Sequence, residues 1–251
     1  MEMELDPPIP AATVIVMRHS STGAPDILIV ERAASMTFAG GAIVFPGGRV
    51  DPGDTVLAEA LGRPLDAPRI TAIRETIEES AVAVGLASRV DPALGRILQD
   101  ALLGGADLGT LLQAHDLELD LDSLTPFARW MPAFKHARRF DTLFFVTAAL
   151  PGDWEPHPQP GECQSAEWAS AAALLERIDA GDDHAIFPTK RNLERIARFA
   201  SIAEARADAA RHSIETIMPW VEQRGGVDHV CLPIDCGYPV TSEPLTTAIR
   251  A

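Results

Sequence analysis

The stretch Arg74-Glu75-Thr76-Ile77-Glu78-Glu79 most constrains the fold, because one face of this segment must be buried while the other crowds three carboxylates together. At about 100° per residue, with Glu75 at zero, Glu79 falls at about 40° and Glu78 at about 300°, whereas Ile73, Ile77 and Val84 cluster between about 160° and 200°. The spacing predicts a helix over 70–86 that lays its apolar stripe on a second layer. Glu75 and Glu79 stand at i and i+4, where like charges repel by about 0.2–0.5 kcal/mol. A hard cation between them turns that repulsion into attraction, and oxygen-only ligands suit Mg2+ or Mn2+. An isolated acidic cluster is ordinarily a solvated face. The turn Phe45-Pro46-Gly47-Gly48, shortly upstream, sets this one apart: its glycines let the backbone approach a ligand closely.

A chain of 251 residues, 47% hydrophobic, can bury the core of one large domain. Its formal charge of -15 disfavours a polyanion-binding surface, which needs Lys and Arg to neutralise phosphates. A small phosphorylated substrate held through a metal is compatible with that charge. Three cysteines, Cys163, Cys231 and Cys236, lack a zinc-type spacing and are odd in number, which points to a reducing compartment, the cytoplasm. No run approaches 18 apolar residues and the N-terminus carries acids and prolines, so neither a membrane span nor a signal peptide is expected.

Along the chain, 11–17 and 26–31 read as a strand hairpin around a polar turn at 18–25. Residues 49–53 read as a short strand and turn, and 55–69 cannot be one helix, because Gly62, Pro64 and Pro68 interrupt it. Leucines at helical spacing on either side of Gly104-Gly105 predict two short helices within 92–115, an inserted cap. Residues 117–124 alternate apolar and acidic, and 127–134 and 140–149 read as strands. A prolyl loop follows at 151–160, then a strand at 166–169 and a helix at 171–179. One or two long helices are expected over 189–220, and an extended segment over 227–239. Strands interleaved with helices argue for an α/β fold, a mixed β-sheet with helices on both faces. The expected organisation is one domain: a core at about 9–180, the inserted helical segment at about 87–116 and a C-terminal helical extension at about 185–251.

These residues resemble the Nudix hydrolases, whose box reads G, five residues, E, seven residues, then R-E-U-x-E-E-x-G-U with U aliphatic. Gly48 followed by five residues reaches Asp54 in place of glutamate, and the run from Arg74 to Val82 matches with Thr76 and Ala81 as departures. Nineteen residues separate Asp54 from Arg74, twelve more than the pattern allows. A surface bulge of that size costs little entropy and leaves the following helix its geometry. The interrupted box resembles the branch that includes coenzyme A diphosphatases. Further similarities are Trp130-Met131-Pro132, Arg138-Arg139-Phe140-Asp141-Thr142, Glu162 followed by Trp168, and Gly237-Tyr238-Pro239.

The resemblance implies the Nudix fold, an α/β/α sandwich, and Mg2+ or Mn2+ held by Glu75, Glu78, Glu79 and the backbone carbonyl of Gly47. It implies that Arg74 positions Glu75 or Asp54, and that Glu162 stands where many Nudix enzymes place a further metal ligand or general base. Its activity would be hydrolysis of a pyrophosphate bond in a nucleoside diphosphate linked to another moiety. Glu78 and Glu162 are both candidates for the base. Arg32, Arg138 and Arg139 could grip phosphate oxygens bidentately, with a solvated strand edge as the other reading. For coenzyme A or acyl-CoA, the upstream signature is met at Leu28, Arg32, Gly41 and 45–48, while Ala33 and Thr37 replace its serine and second arginine. ADP-ribose, NADH or capped RNA are alternative substrates, the RNA cap being the one nucleic-acid partner considered. A non-catalytic nucleotide sensor is the rival class. Such sensors commonly lose box carboxylates, which this chain keeps. Arg18-His19-Ser20 lacks the glycine of the histidine-phosphatase motif, so His19 reads as a turn residue. The inserted and C-terminal helices shape either the pocket or a homodimer interface, and the sequence leaves both open.

Overall fold

The computed structural model describes residues 7–21, 23–37, 39–132 and 139–248. The expected mixed sheet with helices on both faces is present. Its centre is β1 (Ile9–Ser20), which pairs antiparallel with β2 (Gly23–Arg32) through its C-terminal half. Both strands run into the segment expected as a turn, because Arg18 pairs with Asp26 in register and through its guanidinium at 3.3 Å. On the same edge, the N-terminal half of β1 pairs with β4 (Gly47–Arg49), which follows the two-residue β3 (Ile43–Val44) on β2. The opposite edge of β1 runs parallel to β6 (Phe140–Ala148), which is flanked by β5 (Thr125–Trp130); β7 (Cys163–Ser170) lies outside β2.

Period-two alternation along β1 sorts the core into two layers. Ala12, Val14 and Val16 point to one cluster, with Ile70, Ile73 and Ile77 of α2 (Ala67–Ser80). Ile15 and Met17 point to the other, with Leu174 of α5 (Ala171–Ala180), Leu193 of α6 (Phe187–Ile196) and Ala205 of α7 (Ile202–Arg211). Ile73 and Ile77 are fully buried, each worth about 1.5–3 kcal/mol, and this anchors α2 to the sheet.

The helix expected over 70–86 is shorter at its end and longer at its start. It stops at Ser80 because Ala81 adopts the left-handed conformation, φ 59°, at a position where the box has glycine. An alanine there costs about 1–2 kcal/mol. Val84, assigned to the helix by its angle, is buried on the extended stretch that follows. Thr76 is accommodated because its hydroxyl donates to the Ala72 carbonyl at 2.6 Å.

The twelve extra residues form no loose bulge. They fold as most of α1 (Pro52–Ala60) and a single 3-10 turn at Pro64–Asp66, so 49–53 is the end of a strand and the start of a helix. The two helices expected within 92–115 are α3 (Pro92–Leu103) and α4 (Leu108–Ala114), with α3 packed along α2. Residues 117–124 form a 3-10 turn at Leu121–Ser123 and one bridge, Leu119 to Leu86. The helices expected over 189–220 are α6 and α7, which end at Arg211, well short of Trp220. Helix does not continue through the C-terminal extension. Beyond α7, β8 (Thr216–Ile217) joins β5, and β9 (Trp220–Arg224), β10 (Val227–Cys231) and β11 (Ser242–Pro244) form a separate three-stranded sheet before α8 (Leu245–Ala248). Gly225 and Gly226, both at positive φ, close that hairpin as a two-residue turn between Arg224 and Val227, where a helix cannot run through. Among the described residues no helix is long and apolar enough to cross a membrane.

Candidate metal centre

Arg74 is the hub of the site. Its Nε and Nη2 donate to the two oxygens of Asp54 at 3.0 and 2.9 Å, a bidentate pair in which the Asp54 side chain is 3% exposed and that of Arg74 10%. Nη1 donates to Glu75 at 2.9 Å and to Glu78 at 3.1 Å, and Nη2 also reaches the Arg49 carbonyl at 3.2 Å. Asp54 is held in turn by the Thr71 hydroxyl at 2.8 Å and the Asp51 N–H at 3.1 Å, the latter as half of a capping box that opens α1. The shorter aspartate therefore still reaches Arg74, because the first turn of α1 carries it there. The two halves of the split box meet as if uninterrupted.

The glycine turn closes the other side. The Gly47 N–H donates to Glu79 Oε2 at 3.0 Å, and β4 is fixed beside it by Gly47 pairing with Thr13. At Gly48 a Cβ would fall on the Glu75 carboxylate, so only glycine lets that side chain occupy its place. Glu79 is buried, and burial, reinforced by the charge of Glu75, pushes its carboxyl well above the usual range, against the Gly47 N–H and Arg32. Burial likewise raises Glu75 to about 7, opposed by Arg74, and raises Glu78, also opposed by Arg74.

Arg32, at the end of β2, is thus brought within electrostatic reach of Glu79, as is the exposed Glu162, just before β7. Arg139 sits immediately before β6, level with Ile9, whose N–H its carbonyl accepts at 2.8 Å, upstream of the point where β4 joins β1. Arg138 lies outside the described residues. Among the described residues, no three His, Cys, Asp or Glu side chains are gathered into a preformed cage. The reason is visible in the hydrogen bonds: Arg74 draws one oxygen of Glu75 and one of Glu78 to itself, and Gly47 holds Glu79. The donor set nonetheless suits a hard divalent cation, since it consists of carboxylates whose burial and mutual repulsion a positive charge would relieve.

Several neighbours have no local sequence signal, among them Thr71 and Cys163, whose thiol is pushed up to about 12 by burial and the Glu79 charge. Gln99 had one. It stands within the buried stripe Gly95, Leu98 and Leu102 of α3, where a polar residue needs a partner.

No protein-family model and no curated protein matches the sequence. Among solved structures, a Nudix hydrolase from Alicyclobacillus acidocaldarius superposes with a TM-score of 0.70 at 28% identity, covering 81% of this chain and 97% of its own. A MutT Nudix hydrolase from Burkholderia pseudomallei superposes at 0.41 with 16% identity, covering 75% of this chain and 98% of its own. The Nudix domain of Shewanella oneidensis NrtR, in complex with ADP-ribose, superposes at 0.44 with 13% identity, covering 81% of this chain and 90% of its own. By its likeness to the first of these, the fold is the Nudix fold, and that likeness supports a Nudix-type hydrolase.

Proposed function

We infer that the chain hydrolyses the pyrophosphate bond of a nucleoside diphosphate linked to another moiety, with Mg2+ or Mn2+ held by Glu75, Glu78, Glu79 and the Gly47 carbonyl. The observation that carries this reading is the joining of the carboxylate face of α2 to the glycine turn, through Arg74–Asp54 on one side and Gly47–Glu79 on the other. A divalent cation bound there neutralises phosphate charge and lowers the pKa of water. Arg74 keeps the carboxylates turned to one side and does not itself meet substrate, being 8% exposed. Glu78 or Glu162 takes the proton of the attacking water. Arg32 and Arg139 neutralise phosphate oxygens, and Arg138 is proposed for the same task. Coenzyme A or an acyl-CoA is the first substrate to test, supported by the interrupted box and by Leu28, Arg32, Gly41 and the 45–48 turn, with Ala33 and Thr37 departing from that signature.

The test is the product masses from coenzyme A, ADP-ribose, NADH and a capped RNA with Mg2+. The expected result is two products whose masses add to substrate plus one water: two phosphate monoesters from a diphosphate-linked substrate, or a monophosphate and a diphosphate from the triphosphate-bridged cap. No turnover of any of them, with tight metal-independent binding, would replace the hydrolase by a sensor.

Metal binding should also depend on pH. Glu75, Glu78 and Glu79 have raised folded values, so the native state holds these protons more tightly than the unfolded chain. For Glu75 the stabilisation is complete below the unfolded value near 4.5 and is lost as pH rises to about 7. Mg2+ competes with those protons, so its gain in Tm should be larger near pH 8 than near pH 5.5. At about a hundredfold excess over Kd the gain is about 2.7 kcal/mol, or roughly 5–10 °C. Thermal denaturation with EDTA and with Mg2+ measures it, and an equal gain at both pH values contradicts carboxylate ligation.

A further inference from the structure

An α-helix leaves its last four carbonyls without partners inside the helix. In α2 they belong to Ile77, Glu78, Glu79 and Ser80, and each is taken. The Ala81 N–H donates to Ile77 at 2.8 Å, the Gln159 N–H to Glu79 at 3.2 Å and the His157 N–H to Ser80 at 2.7 Å. The Glu78 carbonyl accepts from the side-chain amide of Gln99 at 2.9 Å, and the same amide nitrogen donates to the His157 carbonyl at 2.8 Å. Gln99 is buried and projects from α3, so one side chain ties α3 to the end of α2 and to the segment 157–163. That segment continues through Glu162, whose carbonyl accepts from the Ala33 N–H at 2.7 Å, into β7. Its path across the end of α2 decides how far the Glu162 carboxylate stands from those of Glu78 and Glu79.

We propose that Gln99 is a positioning residue, whose buried amide clamps the 157–163 strap onto the C-terminal turn of α2 and thereby sets Glu162 against the metal-binding carboxylates. This rests on the reading of Glu162 as a participant in metal-dependent hydrolysis. Without the amide, two partly buried carbonyls lose their donor, and the strap relieves them by moving toward water. A displacement of about 1 Å at a reacting group is enough to cost on the order of a hundredfold in rate.

The experiment uses the full chain with Mg2+ and the nucleotide that gives the fastest turnover, comparing Gln99→Ala, Glu162→Gln and the double variant. Gln99→Met, which fills similar volume without a donor, replaces Gln99→Ala should the latter fail to fold. The expected result is a kcat lower by about tenfold or more with KM within about twofold, and a double variant no slower than Glu162→Gln alone. Hydrogen exchange at the His157 and Gln159 amides should quicken by about tenfold in the Gln99 variant while the middle of α2 stays protected. A merely structural loss would instead multiply with Glu162→Gln, and that result overturns the proposal, as does unchanged exchange in the strap. Should the wild type hydrolyse nothing, the functional reading fails, and the exchange measurement still decides whether Gln99 clamps the strap.

Discussion

Glu79→Gln should lower turnover at least about a hundredfold, equivalent to about 2.7 kcal/mol of transition-state stabilisation, while leaving the protein as stable as before or more so. The two halves of that result have one origin. Glu79 is buried and its charge is disfavoured there, so a neutral amide of the same shape removes a desolvation cost and can keep the bond from Gly47. The same neutral amide gives up the negative charge that a divalent cation needs. Turnover per folded molecule and Tm, measured on one preparation, check this. Near-normal turnover would remove Glu79 from the ligand set, and a collapse in Tm would make its role structural.

Arg74→Ala should act on the fold as much as on the chemistry. It strands Asp54, whose side chain is 3% exposed and depends on Arg74 for two of its hydrogen bonds. Breaking a buried pair from one side costs about 3–5 kcal/mol. At roughly 2–4 °C per kcal/mol for a chain of this size, Tm should fall by about 6–20 °C. Arg74→Lys should lie between, because an ammonium keeps the charge and loses the planar fork that serves Asp54, Glu75 and Glu78 together. Denaturant or thermal unfolding of the two variants tests it. A loss under about 1 kcal/mol for the alanine variant would show that the Asp54 pair contributes little.

How much was legible in the sequence follows from the range of the forces involved. The strands around 11–17, 26–31 and 140–149 were readable because each carries its own apolar pattern, and α2 because its period is unmistakable. Where α2 ends was not readable from residue propensity: Ala81 has none for a turn, and the strap at 157–159 and Gln99 on α3, which take the carbonyls the stop leaves open, lie far along the chain. The box insertion was visible as a count of residues. That it folds as a helix, whose first turn delivers Asp54 to Arg74, depends on a contact 20 positions away. In the C-terminal sheet, β10 lies within the segment expected to be extended, whereas β9 was missed because 212–226 sits beside strongly helical sequence and its pairing residues on β10 follow later in the chain.

Two of the scattered similarities, Trp130 and Tyr238, touch across 108 positions. The indole N–H donates to the phenol oxygen at 3.0 Å, and the phenol donates to Asn192 at 2.7 Å. Tyr238 is the chain's single tyrosine, and burial pushes its ionisation above the ordinary range. The protein thus carries its single phenol, beside the Trp130 indole, at the seam between the Tyr238 segment and the sheet. Tyrosinate absorbance therefore reports the docking of that seam without a label and without interference from any other phenol.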